Sequence, residues 1–312
     1  MTRISARQNN SFAIIIPNYN NAKTLARAIE SCLNQIIPAN EIIVVDDGST
    51  DESRAALGKY SKEITTIFQK NSGVSTARNN GADQAKSEWL LFLDADDEFL
   101  PNRIASHDLQ IKKFQPISAI IGDQYNFHED TGKQIEASIN SAVARSIAQT
   151  TERAALLTKT QMAQLLVEGP IEIRTLTIKR NFFRALNGFP ENIKIGEDFH
   201  LFARIFTEGN AAYSTDIVAK YNIHNESALR KNKLETQKKF IKTLEELENS
   251  AIIKSKTLQN GIKQRLELER ISLAYALLRE KKKMASIKYA AITAVRHMSM
   301  KSVRSLLAII AH

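Results

Sequence analysis

Residues 41–51 read EIIVVDDGSTD. Four β-branched aliphatics, Ile42 to Val45, run straight into Asp46-Asp47-Gly48-Ser49. An apolar run without alternation predicts a strand covered on both faces, the kind found in parallel sheets. The acidic, Gly-containing segment that ends it predicts a turn. The pattern recurs at residues 89–97, WLLFLDADD, where Trp89 to Leu93 predicts another buried strand, ending at Asp94-Ala95-Asp96-Asp97. Upstream, Phe12 to Ile16 predicts a buried strand stopped by Pro17.

Between and beyond these strands the period changes from two to 3.6. Thr24 to Gln35 places Leu25, Ala28, Ile29, Cys32 and Leu33 at helical spacing, with Thr24 as N-cap and Pro38 past the end. Asp51 to Leu57 starts a second helix, Ile64 to Gln69 is a third strand, and Ser75 to Lys86 is an Ala-rich helix. A further helix follows Pro101, and Ile117 to Ile121 predicts a fifth strand. This alternation predicts an α/β fold with a mostly parallel sheet between helices. Ligands bind such sheets at strand C-terminal ends, where both acidic turns lie. Residues 130–165, rich in Ser, Thr, Ala and Gln, carry no assignable pattern. Ile171 to Ile178 alternates like a strand, Asp198 to Thr207 has helical spacing, and the chain reads as helical from Leu234 onward.

The chain has 312 residues, 43% hydrophobic and 25% charged, which is the composition of a globular protein and not of a disordered or fibrous one. No run approaches the ~18 apolar residues of a membrane-spanning helix. Met1 to Asn10 is polar and lacks the apolar core of a signal peptide, and Cys32 is the only cysteine. Both features predict a cytoplasmic protein. No CxxC or HExxH occurs, so a zinc site has no support. The absence of GxGxxG and GxxxxGK[ST] disfavours a dinucleotide fold and a P-loop. A phosphate-bearing ligand would then need a metal held by carboxylates. Asp94 and Asp96, two apart in an extended segment, point to the same side. Mg²⁺ and Mn²⁺ bind through one or two carboxylates plus substrate phosphates. Taken alone, each acidic turn reads as a solvated turn. Two on neighbouring strand ends call for something positive to join them.

Six blocks in order carry a resemblance. They are Ile16-Pro17-Asn18-Tyr19-Asn20; Val44 to Asp51; Asn71-Ser72-Gly73-Val74-Ser75-Thr76-Ala77-Arg78-Asn79-Asn80-Gly81; Phe92-Leu93-Asp94-Ala95-Asp96-Asp97 with Pro101; Gly188-Phe189-Pro190-Glu191; and Gly196-Glu197-Asp198-Phe199. Across roughly residues 12–227 the chain resembles the family 2 glycosyltransferases. The resemblance implies the GT-A fold, a nucleotide-diphospho-sugar transferase architecture, and inverting transfer from a nucleotide sugar, usually with Mn²⁺ or Mg²⁺. It implies donor contacts by Pro17, Tyr19, Asp47, Arg78 and Asp94. Of these, Tyr19 would stack on the base, often uracil, and Asp47 would hydrogen-bond it. Arg78 would lie near the base and Asp94 would touch ribose or metal. Asp96 would hold the metal on the diphosphate, and Asp198 would be the catalytic base. His224 resembles a histidine found after the family's last strand, able to touch the diphosphate or metal; the alternative is a structural histidine. The chemistry agrees, since inverting transfer needs one base for the acceptor hydroxyl and charge neutralisation on the leaving group. Glu197-Asp198 also reads as acidic complement to a helix N-terminus.

By this reading residues 1–227 form a catalytic domain, with a nucleotide-sugar half over about 12–125 and an acceptor half over about 126–227. Residues 228–312 form a basic helical C-terminal region. No QxxRW-type block follows Asp198, which favours single addition over processive synthesis. The Arg153 to Glu168 region matches nothing in the family. The charge is uneven: residues 226–312 hold 19 basic and 8 acidic side chains, a net +11 within a total of +9. Its helices read either as packing on the catalytic domain or a second subunit, as in a homo-oligomer, or as a basic amphipathic surface on the inner membrane leaflet. The leading expectation is a metal-dependent, inverting, non-processive transferase. Its donor would be a nucleotide sugar, UDP-linked in the first instance. Its acceptor would be a hydroxyl of a cell-surface glycan or lipid-linked glycan precursor. The alternatives are a polyprenyl-phosphate sugar synthase and a catalytically silent nucleotide-sugar-binding scaffold. A nucleic-acid binder has only the basic tail in its favour and no recognised motif.

Overall fold

The computed structural model describes residues 10–223, 232–297 and 299–311. The first half alternates as expected: β1 (Phe12–Asn18), α1 (Ala22–Leu33), β2 (Glu41–Asp46), α2 (Ser53–Gly58), β3 (Thr65–Phe68), α3 (Val74–Gln84) and β4 (Trp89–Phe92). A short β5 (Glu98–Phe99), α4 (Arg103–Lys113) and the long β6 (Ala119–His128) follow. The segment without sequence pattern forms β7 (Lys133–Glu136), α5 (Ala142–Ala148), β8 (Ala154–Leu156) and α6 (Lys159–Glu168). Then come β9 (Leu176–Lys179), α7 (Arg180–Ala185), α8 (Glu197–Glu208) and β10 (Ala211–Ile223). Four helices complete the described chain: α9 (Lys233–Glu248), α10 (Lys256–Arg279), α11 (Lys283–His297) and α12 (Met300–Ala311).

The ten strands among the described residues join one sheet, with the main order β3-β2-β1-β4-β9-β6-β10-β5. The α/β reading holds. The sheet is parallel across β3-β2-β1-β4 and mixed beyond, because β9 runs antiparallel to both β4 and β6. The two-sided burial read from the apolar runs is present. Along β1, Ala13 and Ile15 enter one core with Val45, Phe92, Phe183 and Phe202, while Phe12, Ile14 and Ile16 enter the opposite core with Leu25, Ile29, Trp89 and Ile104. Cys32 is packed in that second core, as its helical face suggested.

Three local expectations are corrected. Pro17 does not end β1; the strand continues to Asn18, paired with Asp46 of β2. Pairing with β4 stops at Ile15, so the missing Pro17 N–H leaves no gap in that ladder. Thr24 is not the N-cap of α1, which starts at Ala22 after Asn21. The Ala22 N–H is satisfied from afar, donating to the Asp51 carboxylate at 2.9 Å. The strand expected over Ile171–Ile178 is a 3₁₀ turn at Ile173–Thr175 followed by β9.

The C-terminal helices are not detached from the sheet. Ile241, Leu244 and Leu247 of α9 and Leu258, Ile262, Leu266, Leu273 and Leu277 of α10 belong to the same apolar core as Ile15 and Phe92. The two outer helices, α11 and α12, meet α10 through a small cluster of Ala274, Ala290 and Ile309.

Candidate active site

β4 ends at Phe92 while β1 and β2 run on together to Asn18 and Asp46, and a cleft lies at these C-terminal strand ends. A cavity of about 1060 Å³ fills it. Pro17, Tyr19, Asp47, Arg78, Asp94, Asp96 and Asp198, which are distant in sequence, all line this one cavity. His224 lies outside the described residues.

At one end, the β1 and β2 loops are stitched together. Asn20 Oδ1 accepts from Thr50 N–H at 2.8 Å, and Asn20 N–H donates to Ser49 Oγ at 3.0 Å. Between these bonds Tyr19 lines the cavity and is 48% exposed. Asp46 is buried and structural, accepting from Asn18 Nδ2 and Ser49 N–H, both at 2.9 Å. Asp47 is also buried, but it organises the opposite loop. Its Oδ1 accepts from Ser72 N–H and Gln69 Nε2, both at 2.7 Å, and its Oδ2 accepts from Gly73 N–H at 2.8 Å. Gly73 caps α3 at φ 95°, a conformation that an L side chain rarely adopts. The carboxylate therefore fixes the start of the helix that carries Arg78.

Arg78 joins the Asp94 turn to the acidic start of α8. It is almost wholly buried, 2.6 Å from Asp94 and 3.0 Å from Glu197, with its guanidinium over the Phe189 ring at 5.1 Å. Arg174, from the 3₁₀ turn, lies 2.6 Å from Asp97, 3.3 Å from Glu172 and 3.8 Å from Asp94, and stacks on Tyr221 at 4.2 Å. Burial alone would raise the Asp94 carboxyl, but Arg78 and then Arg174 hold it below its ordinary value. Burial raises Glu197, and the neighbouring Asp198 adds to this against the pull of Arg78. Desolvation pushes Glu172 up to about 7, with Arg174 opposing and Asp198 and Asp94 adding, although its side chain remains 36% exposed, facing the cavity.

Asp198 occupies the first turn of α8, whose N-cap is Gly196. The helix N-terminus favours negative charge there. Its Oδ1 accepts from Phe199 N–H at 2.7 Å, and among the described residues no ion pair holds it. Glu197 is turned away to Arg78, so of the two adjacent carboxylates only Asp198 has no arginine partner among the described residues.

No group of three or more His, Cys, Asp or Glu side chains among the described residues converges on a metal position. Asp94 and Asp96 nevertheless line the cavity with oxygen donors, the ligand chemistry of Mg²⁺ and Mn²⁺. A hard cation here would complete its shell with phosphate oxygens, so the residues fit such an ion.

Sequence reasoning missed Glu172, Arg174 and Lys194, and also the far wall. That wall is Lys233, Thr236, Gln237 and Phe240 of α9 with Glu269 of α10. The signal for Arg174 was present: in IEIRTLTI, Glu172 and Arg174 share the polar side of an otherwise apolar stretch. Nothing in the sequence ties α9 to the cavity.

The profile of Glycosyl transferase family 2 matches residues 13–185. An uncharacterized glycosyltransferase of Rickettsia bellii is 28% identical over 222 residues, 70% of this chain and 31% of its own length. The chain thus aligns with about a third of that relative. Two solved structures share the fold. S. aureus TarS 1-349 in complex with UDP-GlcNAc has a TM-score of 0.62 at 16% identity, over 96% of this chain and 79% of that one. Mannosyltransferase PcManGT from Pyrobaculum calidifontis, in complex with GDP-Man and Mn²⁺, has a TM-score of 0.63 at 14% identity, over 98% and 81%. The matched residues supply both acidic turns and Arg78, and the acidic helix start across the cavity completes the arrangement: this chain belongs to glycosyl transferase family 2 and has its GT-A fold.

Proposed function

We propose that the chain is an inverting, non-processive, divalent-metal-dependent hexosyltransferase. It moves a sugar from a nucleotide-sugar donor, with UDP the first candidate, to a hydroxyl of a cell-surface glycan or lipid-linked glycan precursor. The observation that carries this reading is the convergence of Tyr19, Asp47, Arg78, Asp94, Asp96 and Asp198 on one cavity.

In this reading the nucleoside end of the donor lies at Tyr19 and the loop fixed by Asp47. The Gln69, Ser72 and Gly73 bonds already occupy both Asp47 oxygens, so a base N–H meets a carboxylate held in one orientation. Asp94 and Asp96, with the donor's phosphates, would hold Mg²⁺ or Mn²⁺, which would supply charge neutralisation to the leaving diphosphate. Arg78 and Arg174 keep Asp94 ionised. Asp198 takes the proton from the acceptor hydroxyl as its oxygen attacks the anomeric carbon from the side opposite the departing nucleoside diphosphate. The acceptor then enters between Asp198 and the α9 wall. Phe240 offers an aromatic face there, and Thr236, Gln237 and Lys233 offer polar groups.

The test pairs binding with turnover. UDP- and dTDP-sugars with Mn²⁺, Mg²⁺ or chelator are screened for thermal stabilisation, expected at about 2.7 kcal/mol for ligand at 100 times Kd. Asp198→Asn is expected to keep the donor- and metal-dependent shift and to lose roughly 10²–10⁴-fold in turnover. Wild-type turnover in that variant refutes the base assignment. A donor shift indifferent to chelator refutes the metal.

A further inference from the structure

Helix α12 is packed inside out. Its inward side consists of Ser302, Ser305 and Ile309, all buried, with Leu306 beside them. Ser302 is fully buried and bonds locally, its Oγ donating to the Ser299 carbonyl at 3.0 Å. The outward side carries Met300, Val303, Leu307 and Ile310, exposed by 69%, 40%, 62% and 51%. Their spacing of three, four and three residues makes one continuous stripe on a 3.6-residue helix. The neighbouring α11 does the same on a smaller scale. Its small residues Ser286 and Ala290 face Ala274 of α10, and Ser286 Oγ donates to the Ala274 carbonyl at 2.7 Å. Met284 and Val295 point out, at 80% and 76% exposure.

Isolated exposed apolar residues need no explanation, but an outward stripe backed by inward serines does. The surrounding charge indicates the occupant. Residues 281–311 contain seven lysines and arginines and no aspartate or glutamate. Lys288 lies one turn from Met284 on the same side of α11, and Arg304 and Lys301 flank the α12 stripe, all exposed. A second copy of this face would bring cation against cation. A nucleic acid would answer the charge but leave the aliphatic stripe in water. An anionic lipid surface satisfies both, with acyl chains for the stripe and headgroups for the lysines.

We infer that α11 and α12 form a docking surface for an anionic lipid bilayer, on which the chain rests peripherally with the Met300–Ile310 stripe inserted. The apolar stripe occupies one side of α12 only, which is the geometry of interfacial attachment, and no described helix is long and apolar enough to cross a membrane. This inference stands apart from the transfer chemistry and survives or fails without it.

The experiment is sedimentation of the full chain with phosphatidylcholine vesicles, with and without about 30 mol% phosphatidylglycerol. The chain is expected to pellet only with the anionic vesicles, and less so at about 0.5 M NaCl. Leu307→Glu with Ile310→Glu, both on exposed positions, is expected to weaken partitioning at least ~tenfold. Lys301→Glu with Arg304→Glu is expected to weaken it roughly fivefold per side chain. Circular dichroism, thermal midpoint and UDP-sugar stabilisation are expected to stay as in the parent. Any of four results overturns the proposal: no pelleting of the parent, equal pelleting of the Leu307/Ile310 variant, salt-stable self-association that this variant abolishes, or preferential binding of nucleic acid.

Discussion

Replacing Arg78 by methionine tests the charge architecture of the site. The guanidinium sits between Asp94 at 2.6 Å and Glu197 at 3.0 Å, with side-chain exposures of 4%, 27% and 14%. Methionine keeps an unbranched, polarizable side chain over Phe189 and removes only the charge and its hydrogen bonds. Removing one partner of a buried ion pair costs about 3–5 kcal/mol because the other charge is left uncompensated. Asp94 is partly exposed and keeps Arg174 at 3.8 Å, so the low end, ~3 kcal/mol, is expected. At ~2 °C per kcal/mol for a chain of this size, the thermal midpoint falls by about 6 °C at pH 7. The pH dependence follows from Asp94. Its folded-state pKa is depressed, so its contribution is present above the unfolded carboxylate value and is lost as pH falls through the folded one. Arg78→Met has lost most of that contribution already. The gap between parent and variant should therefore be widest near neutrality and shrink below about pH 4. The assay is thermal and urea unfolding across pH in EDTA, with Arg78→Met/Asp94→Asn expected to recover part of the loss. A loss below about 1 kcal/mol, or a gap that does not narrow in acid, would show that Arg78 does not stabilise the site by holding Asp94 ionised.

Three further outcomes follow from the same geometry. Asp47→Asn turns one acceptor into a donor facing the Gln69, Ser72 and Gly73 donors, and should cost about 2 kcal/mol while weakening donor binding, read by calorimetry. Glu172 is raised to about 7 in the folded state, so the native protein binds a proton that the unfolded chain releases. Stability should therefore fall as pH rises from the unfolded carboxylate value through about 7, and Glu172→Gln should match the parent at pH 5 and exceed it at pH 8 in thermal unfolding. At Gly196, φ is 84° and an added Cβ would lie 2.7 Å from Phe240 Cδ2. Gly196→Ala should cost at least about 1–2 kcal/mol and raise the acceptor KM more than the donor Kd, because it disturbs α8 and the α9 wall together.

The sequence alone determined the parallel half of the sheet. Phe12–Ile16, Ile42–Val45 and Trp89–Leu93 are too uniformly apolar to have a wet face, so the chain itself demands helices on both sides. It also determined the acidic turns, because a buried strand that ends in carboxylates must deliver them to the sheet's rim. Six short blocks in fixed order then sufficed to indicate the family. The packing of residues that share no local pattern was decided only by the tertiary structure. Asp47 reads the same as Asp46 in sequence, yet one is spent on its own turn and the other on the loop before α3. Arg174 became the second cation of the site only when the 3₁₀ turn before β9 brought it to Asp97. The α9 helix became a wall of the cavity because Ile241, Leu244 and Leu247 anchor it in the sheet's core, and the stripe of α12 faces outward because Ser302, Ser305 and Ile309 are its buried side. Periodicity tells which face of a helix is apolar, but what that face meets depends on contacts between residues far apart in the chain.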